Sequence, residues 1–210
     1  MRCGAKRVAR LMRVDGLRSK RSRRYRTTTQ ADGTPPAPNH LQRRFQVARV
    51  NQVWASDVTA WPTSQGWLYV AVVLDLASRR VIGWAAGRTN GQELTLQALQ
   101  QALAQRRPPG GLLHHSDRGR HYTGTSYQRL LAAHGITPSM SRRGDCWDNA
   151  VVESFFATVK TELVAGTTWR SPADAIAALR QYVRWYNGLR LHSTLQYVSP
   201  AVFEARLAAA

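Results

Sequence analysis

The stretch N-Q-V-W-A-S-D-V-T-A-W-P-T-S-Q-G-W-L-Y-V-A-V-V-L-D-L-A-S-R-R-V-I-G-W-A-A, residues 51–86, decides the fold. Within it, Val53 to Thr59, Trp67 to Leu76 and Val81 to Ala86 are rich in β-branched and aromatic residues. Turn signals separate them, S-Q-G and then A-S-R-R, so they read as three strands of an antiparallel meander. One residue does not suit a strand: Asp57 interrupts the apolar run. An uncompensated carboxylate there would cost on the order of several kcal/mol, and binding a cation removes that cost.

Beyond the meander, Leu94, Leu96, Leu99 and Leu103 give residues 91–106 a helical pattern that R-P-P-G-G stops. A fourth strand, Leu112 to Ser116, runs into Asp117, where S-D-R-G-R begins. The end of a strand is a usual position for ligand-binding groups. A helix over 125–133, a short strand from Ile136 to Met140 and a long helix from Asn149 to about Val164 follow. Ser171-Pro172-Ala173-Asp174 opens a further helix running to about Asn187, and Ser199-Pro200 opens the last. The expected class is α/β, with a five-stranded mixed sheet in the order βββαβαβα and extra C-terminal helices.

In the long helix, Asn149, Glu153, Ala157 and Lys160 share one face, which places an acid and a cation on one stripe. Phe155 and Phe156 face elsewhere and can pin the helix to the sheet. Asp57, Asp117 and Glu153 therefore form a candidate set of three acids, with 35 residues between the second and third. Magnesium prefers oxygen ligands and shares its shell with phosphate and water, so two ions can be held by three carboxylates. Two such ions can serve an in-line displacement at phosphorus.

The other acids have plainer readings. Asp75, before A-S-R-R, is read as a turn or salt-bridge residue. Asp145 and Asp148 are read as capping or dipole partners of the long helix. His114, His115 and His121 lie near Asp117, but no second Cys or His group stands at zinc spacing, so zinc is not expected. His115 is read as a support behind a metal ligand, a DNA contact or a satisfied core histidine. Trp185, Tyr186 and Asn187 are read as packing for the second long helix, and Cys146 as packing beside Trp147.

Upstream, residues 1–26 hold nine Arg and two Lys against one acid, Asp15. Val8, Leu11, Met12 and Leu17 have helical spacing, so a short basic helix over about 5–15 is expected, closed by Gly16. Residues 27–42, with three Pro and no apolar periodicity, read as a linker, and the core begins near Arg43. The whole chain carries a formal charge of +18, which calls for a polyanionic partner, nucleic acid above all. Of its 30 basic residues 27 are Arg, a bias that suits phosphate recognition and a GC-rich genome alike. The candidate phosphate contacts are Lys160, Arg118, Arg120, Asn149, Arg142 and Arg143 around the acids, and Arg7, Arg10 and Arg13 on the basic helix. Two cysteines without a C-x-x-C pair, no signal peptide and no membrane-length apolar run lead to the expectation of a cytoplasmic protein.

Five blocks, in order, resemble the insertion-sequence transposases of the IS-three family, whose second reading frame encodes a retroviral-integrase-like catalytic core. They are N-Q-V-W-A-S-D-V-T, G-W-L-Y-V-A-V-V-L-D-L-A-S-R-R-V-I-G-W, H-H-S-D-R-G-R-H-Y-T, G-D-C-W-D-N-A-V-V-E-S-F-F-A-T-V-K-T-E-L and W-Y-N-G-L-R-L-H-S-T-L-Q-Y-V-S-P-A. The resemblance implies a ribonuclease H-like fold in which Asp57, Asp117 and Glu153 are the D-D-E acids and Lys160 the following basic residue. It implies Mg2+, with Mn2+ able to substitute, at two ions per site. It also implies cutting of the element's 3′ ends and their joining to target DNA without a covalent protein intermediate. The implied partners are DNA, further copies of the chain on that DNA and the first reading-frame product of the element, with no membrane. Residues 1–26 would be the remnant of a helix-turn-helix region and 43–210 the catalytic core. Because K-R-V-A-R-L-M-R-V-D-G-L-R begins almost at Met1, the first helices of the family pattern are expected to be missing. An inactive DNA-binding remnant and a ribonuclease H-type nuclease remain alternatives.

Overall fold

The computed structural model describes residues 4–17, 35–142 and 145–209. Three strands, β1 (Val53–Thr63), β2 (Gly66–Asp75) and β3 (Val81–Gly87), form the antiparallel meander. Helix α2 (Gln92–Arg106) leads to β4 (Leu113–Ser116), and α3 (Arg120–Thr123) and α4 (Thr125–Ala133) lead to β5 (Thr137–Met140). Both β4 and β5 add in parallel, giving one sheet in the order β3-β2-β1-β4-β5. Helices α5 (Ala150–Val159), α6 (Pro172–Gly188) and α7 (Pro200–Ala209) complete the core, and α1 (Ala5–Val14) lies upstream.

The period-2 alternation of β2 builds a core on each face of the sheet. Val70, Val72 and Leu74 point to one side, where they meet Val152, Phe155 and Phe156 of α5 and Leu179, Tyr182, Val183 and Tyr186 of α6. Ala71 and Val73 point to the other and meet Leu94, Ala98, Leu99 and Ala102 of α2 and Tyr127 and Leu131 of α4. The close approach of β3 to α2 depends on Gly83, because a Cβ there would stand 2.2 Å from the Ala98 carbonyl oxygen.

The expected elements appear nearly where their signals place them. The Ser171 hydroxyl accepts from the Asp174 N–H, and Pro172 begins α6. Gly16 closes α1 with φ +68°, its N–H on the Arg13 carbonyl and the Leu17 N–H on that of Met12. Every residue of α1 is exposed. The expected continuous helix from Asn149 to Val164 instead has three parts: a 3-10 turn at Cys146–Asn149, α5 itself, and a π-helical turn at Lys160–Val164. The Asp75 carboxylate serves the β2–β3 turn, accepting from the N–H groups of Asn51, Ala77 and Ser78. Tyr186 packs as expected and Asn187 clamps both backbone groups of Val81, whereas Trp185 is 42% exposed.

Of the expected linker, 27–34 falls outside the described residues, and 35–42 lies along the core. Leu41 is buried, and the Ser139 hydroxyl accepts from the N–H groups of His40 and Leu41.

Candidate active site

Two of the three acids are brought together by strand register. In the parallel β1–β4 ladder Val53, Trp54 and Ala55 pair with Leu113, His114 and His115, and two further residues along each strand come Asp57 and Asp117. Asp117 follows one residue after the end of β4, and alternation along β1 sends the Asp57 side chain to the side of Ala55. That is the side covered by α5, since Ala55 packs in the same cluster as Val152, Phe155, Phe156 and Val159. Glu153, in the first turn of α5, is half-buried above them.

The electrostatics agree with the convergence. Burial pushes the Asp57 carboxyl well above the usual carboxylate range, and the charges of Asp117 and Glu153 push it the same way. Opposing them are the Val58 N–H, which donates to Asp57 Oδ1 at 2.7 Å, and the charge of Lys160. Lys160 is exposed and stands where α5 gives way to the π turn, a local distortion common at functional sites.

Asp117 is set by the turn that follows it. Its Oδ1 accepts from the Gly119 N–H at 2.9 Å, and a Cβ on Gly119 would stand 2.9 Å from that same oxygen. Gly119 has φ −65° and ψ 147°, a backbone open to any residue, so space beside the carboxylate is what glycine supplies. Among the described residues no three His, Cys, Asp or Glu side chains form a ready-made metal cage. An all-carboxylate set that raises its own central member nevertheless fits hard divalent cations: mutual repulsion holds the acids apart, and positive charge between them reverses it.

The remaining candidates divide. Arg120 is exposed, with one Nη2 contact to the Asn90 carbonyl at 3.5 Å. Arg118 is half-buried and donates through Nε to the Ser141 carbonyl at 2.6 Å. Arg142 is engaged by Asp148 and Asp145, forming ion pairs at 3.0 and 3.1 Å. Asn149 is buried rather than displayed, its Nδ2 on the Ser56 carbonyl at 3.2 Å, where it ties α5 to the strand carrying Asp57. Arg7 and Arg10 are exposed on α1, as is Arg13, whose Nε reaches back to the Ala9 carbonyl. Arg143 lies outside the described residues.

His115 is a satisfied core histidine. It is fully buried, with Nδ1 on the Ser139 hydroxyl and Nε2 on that of Ser141, and burial lowers its pKa to about 4. Through Ser139 it links β4 to β5. His114 is likewise buried against the hydroxyls of Ser56 and Tyr127, with its pKa lowered to about 3 by burial and by His115.

Asp148 does more than the expected capping. Its buried carboxylate accepts from the Arg142 backbone and guanidinium, from Arg43 Nε at 2.9 Å and from Asn39 Nδ2 at 2.8 Å. The Arg142 hydrogen bonds hold it well below the usual carboxylate range, with Arg43 assisting against burial. This cluster fixes the turn that leads into α5, while Asp145 supplies the expected cap by accepting from the Trp147 N–H. Sequence alone did not reveal the role of Gly119, although the S-D-R-G motif carried a signal for it.

A meander extended by parallel β4 and β5, with acids inside β1, just past the end of β4 and on a covering helix, defines an integrase-type catalytic core. The integrase core domain family matches residues 47–146, and a second integrase core domain family matches residues 134–200. An uncharacterized 31 kDa protein of insertion element IS600 from Shigella sonnei is 40% identical over 205 residues, 97% of this chain and 75% of that protein. The transposase InsF of insertion sequence IS3A from Escherichia coli is 41% identical over 201 residues, covering 95% and 70%. The chain belongs to the IS3 family of insertion-sequence transposases. Among solved structures, the HTLV-2 integrase catalytic core in complex with magnesium superposes with a TM-score of 0.57 at 15% identity, over 74% of this chain and 97% of that one. The simian T-cell lymphotropic virus intasome gives 0.64 at 14% identity, over 85% and 60%. These likenesses establish the ribonuclease H-like fold.

Proposed function

We propose that this transposase chain cuts the 3′ ends of its element and joins them to target DNA, with Asp57, Asp117 and Glu153 holding one or two Mg2+ ions, or Mn2+ in their place. The electrostatic influence on Asp57 of β1 from Asp117 just past β4 and Glu153 of α5, with Lys160 acting against them, supports this reading. The magnesium bound by the HTLV-2 core supports the choice of ion. When bound, the ions supply positive charge that activates the attacking oxygen and offsets charge on the phosphate.

The chain's own part is placement. In cutting, a water oxygen bonds to phosphorus as the P–O3′ bond breaks, which frees the element's 3′-hydroxyl. In joining, that 3′-oxygen bonds to a target phosphorus and expels the target's 3′-oxygen, and no protein atom becomes covalently attached. Lys160 and Arg120, both exposed beside the acids, hold the phosphates on either side. Arg118, Arg142 and Asn149 shape the walls through their backbone and acid partners, with Arg143 adjoining them in sequence. In this proposal residues 1–26, with Arg7, Arg10 and Arg13, form a basic helical DNA contact, 27–42 a connection and 43–210 the catalytic core. Chemistry at two element ends asks for at least two copies on the DNA, and the dimeric and trimeric forms of the HTLV-2 core agree with such assembly. The first reading-frame product is a further candidate partner. No described helix is long and apolar enough to cross a membrane.

The test is a labelled duplex carrying an element end, incubated with the chain, target DNA and Mg2+ or EDTA. Metal-dependent joined products are expected. Salt-dependent binding with neither nicking nor joining, even on a pre-branched disintegration substrate, would instead define a DNA-binding remnant. Cleavage confined to RNA in hybrids would define a nuclease.

A further inference from the structure

Asn149 uses the nitrogen of its side-chain amide and leaves the oxygen idle in a buried place. The residue occupies the N-cap of α5, where asparagine ordinarily turns Oδ1 onto the N–H groups of the first turn, yet its side chain makes no such bond. Nδ2 donates instead to the Ser56 carbonyl at 3.2 Å. A carbonyl can only accept, so the nitrogen must face Ser56 and the orientation of the amide is settled by chemistry. Oδ1 is thereby turned elsewhere: it is buried, on a residue 5% exposed, and has no hydrogen-bond partner among the described residues. A buried acceptor in this state is costly, and an apolar side chain would avoid the cost.

The backbone pattern locates the amide. Along a strand, the carbonyls of alternate residues point to the same neighbour. The Gln52 carbonyl accepts from the Leu113 N–H at 2.9 Å, so the Ser56 carbonyl, four residues on, also points to the β4 side. The β1–β4 ladder has its last pair one residue earlier, at Ala55 and His115, and the Asn149 amide meets β1 just beyond it. Asp57 follows Ser56 on β1, and Asp117 follows Ser116 at the end of β4. Glu153 lies one turn into the helix that Asn149 opens. The idle oxygen therefore stands where the three elements that carry the acids meet, on a residue that enters from the side of the sheet α5 covers and Asp57 faces.

We propose that Asn149 supplies, through Oδ1, a fourth and uncharged oxygen of the divalent-cation site. The proposal deepens the reading of the acids given above and rests on it. Hard divalent cations accept amide oxygens beside carboxylates. An uncharged oxygen attracts the cation without adding to the repulsion among Asp57, Asp117 and Glu153. The bond to Ser56 fixes the amide beforehand, so little rotational freedom is left to lose when a cation arrives.

The experiment uses the full chain, without DNA, and Mn2+ alone as the metal. Calorimetric Mn2+ titration and metal-free thermal unfolding are compared for wild type, Asn149→Ala, Asn149→Asp, Val152→Ala and Asp57→Asn. Val152→Ala controls for a loosened helix, because Val152 is fully buried on α5 and brings no polar side-chain atom. Asn149→Ala is expected to bind Mn2+ roughly 10-fold or more weakly, whereas Val152→Ala is expected to melt lower and keep its affinity within about threefold. Asn149→Asp, which puts an oxygen back, is expected to bind more tightly than Asn149→Ala. Mn2+ affinity within twofold of wild type in Asn149→Ala, with binding lost in Asp57→Asn, would overturn this proposal and leave the acid triad standing. Equal weakening by Asn149→Ala and Val152→Ala, or no recovery in Asn149→Asp, would also overturn it, since Asn149 would then act only by holding α5 to β1. Wild-type affinity in Asp57→Asn would overturn the triad reading itself and this proposal with it.

Discussion

Replacing Gly119 by alanine tests how closely the turn after Asp117 holds its carboxylate. The new Cβ would stand 2.9 Å from Oδ1, 3.5 Å from Oδ2 and 3.6 Å from Cγ of Asp117, where ordinary contact begins at 3.4 Å. The carboxylate must therefore retreat by about 0.5 Å or rotate, which strains the hydrogen bond from the Gly119 N–H. Catalytic groups tolerate displacements of about 0.5 Å, and a 1 Å error costs roughly 100-fold in rate. The joining rate should then fall roughly 10- to 100-fold, about 1.4 to 2.7 kcal/mol of barrier. The fold should hardly notice, because the backbone angles at 119 suit alanine and the helix it opens has four residues. Initial rates on a pre-cut duplex at saturating DNA, measured beside a thermal melt, separate the two effects. Joining within twofold of wild type would refute the reasoning, and so would a loss of rate accompanied by a large drop in melting temperature.

Three other outcomes follow from the same structure. Gly83→Ala forces a Cβ to 2.2 Å from the Ala98 carbonyl oxygen and 2.8 Å from the Ala102 nitrogen, both backbone atoms of α2, so it should destabilise the fold by about 3 kcal/mol or more and lower the urea midpoint accordingly. Stability should fall on acidification: burial lowers His115 and His192 to about 4, so each takes up a proton on unfolding once the pH drops below about 6.5, with the loss developing down to about 4. The depressed Asp148 contributes stability above about pH 3.9 that is lost below it, so urea midpoints from pH 8 to 3 should decline throughout the acid range. Lys160→Ala, at an exposed position, should leave the melting temperature unchanged, weaken DNA binding and reduce the salt dependence of log K by about one phosphate contact.

Strand and helix positions were legible where side-chain periodicity is enforced by burial on two faces, as in β2, or by local capping, as at Ser171 and Gly16. The candidate acids were legible for a related reason: Asp57 breaks an apolar strand, Asp117 ends one, and Glu153 lies on a helix whose Phe155 and Phe156 are buried against the sheet. Less could be read where long-range partners decide. A π turn at Lys160 has no local code, because the Ala165 N–H simply reaches the Lys160 carbonyl instead of the next one. Arg142 and Asn149 look like solvent-facing groups in sequence, and only the fold reveals Asp148 and the Ser56 carbonyl as their partners. In the same way, a Pro-rich stretch without periodicity gave no hint that Leu41 would be buried beside Ser139. An aromatic at 122 reads as core, but that its hydroxyl meets no partner among the described residues depends on distances between separate elements.

The central claim is that three carboxylates act as one cation-holding unit for DNA joining. Joining of a pre-cut element end in Mg2+ or Mn2+, measured for wild type, Asp57→Asn, Asp117→Asn and Glu153→Gln, tests it most directly. Each substitution keeps the size of the side chain and removes the charge, and each should reduce joining by at least roughly 1,000-fold, as groups that act as a unit do. DNA affinity should stay within a few-fold of wild type. Robust joining by any one of the three variants would contradict the account.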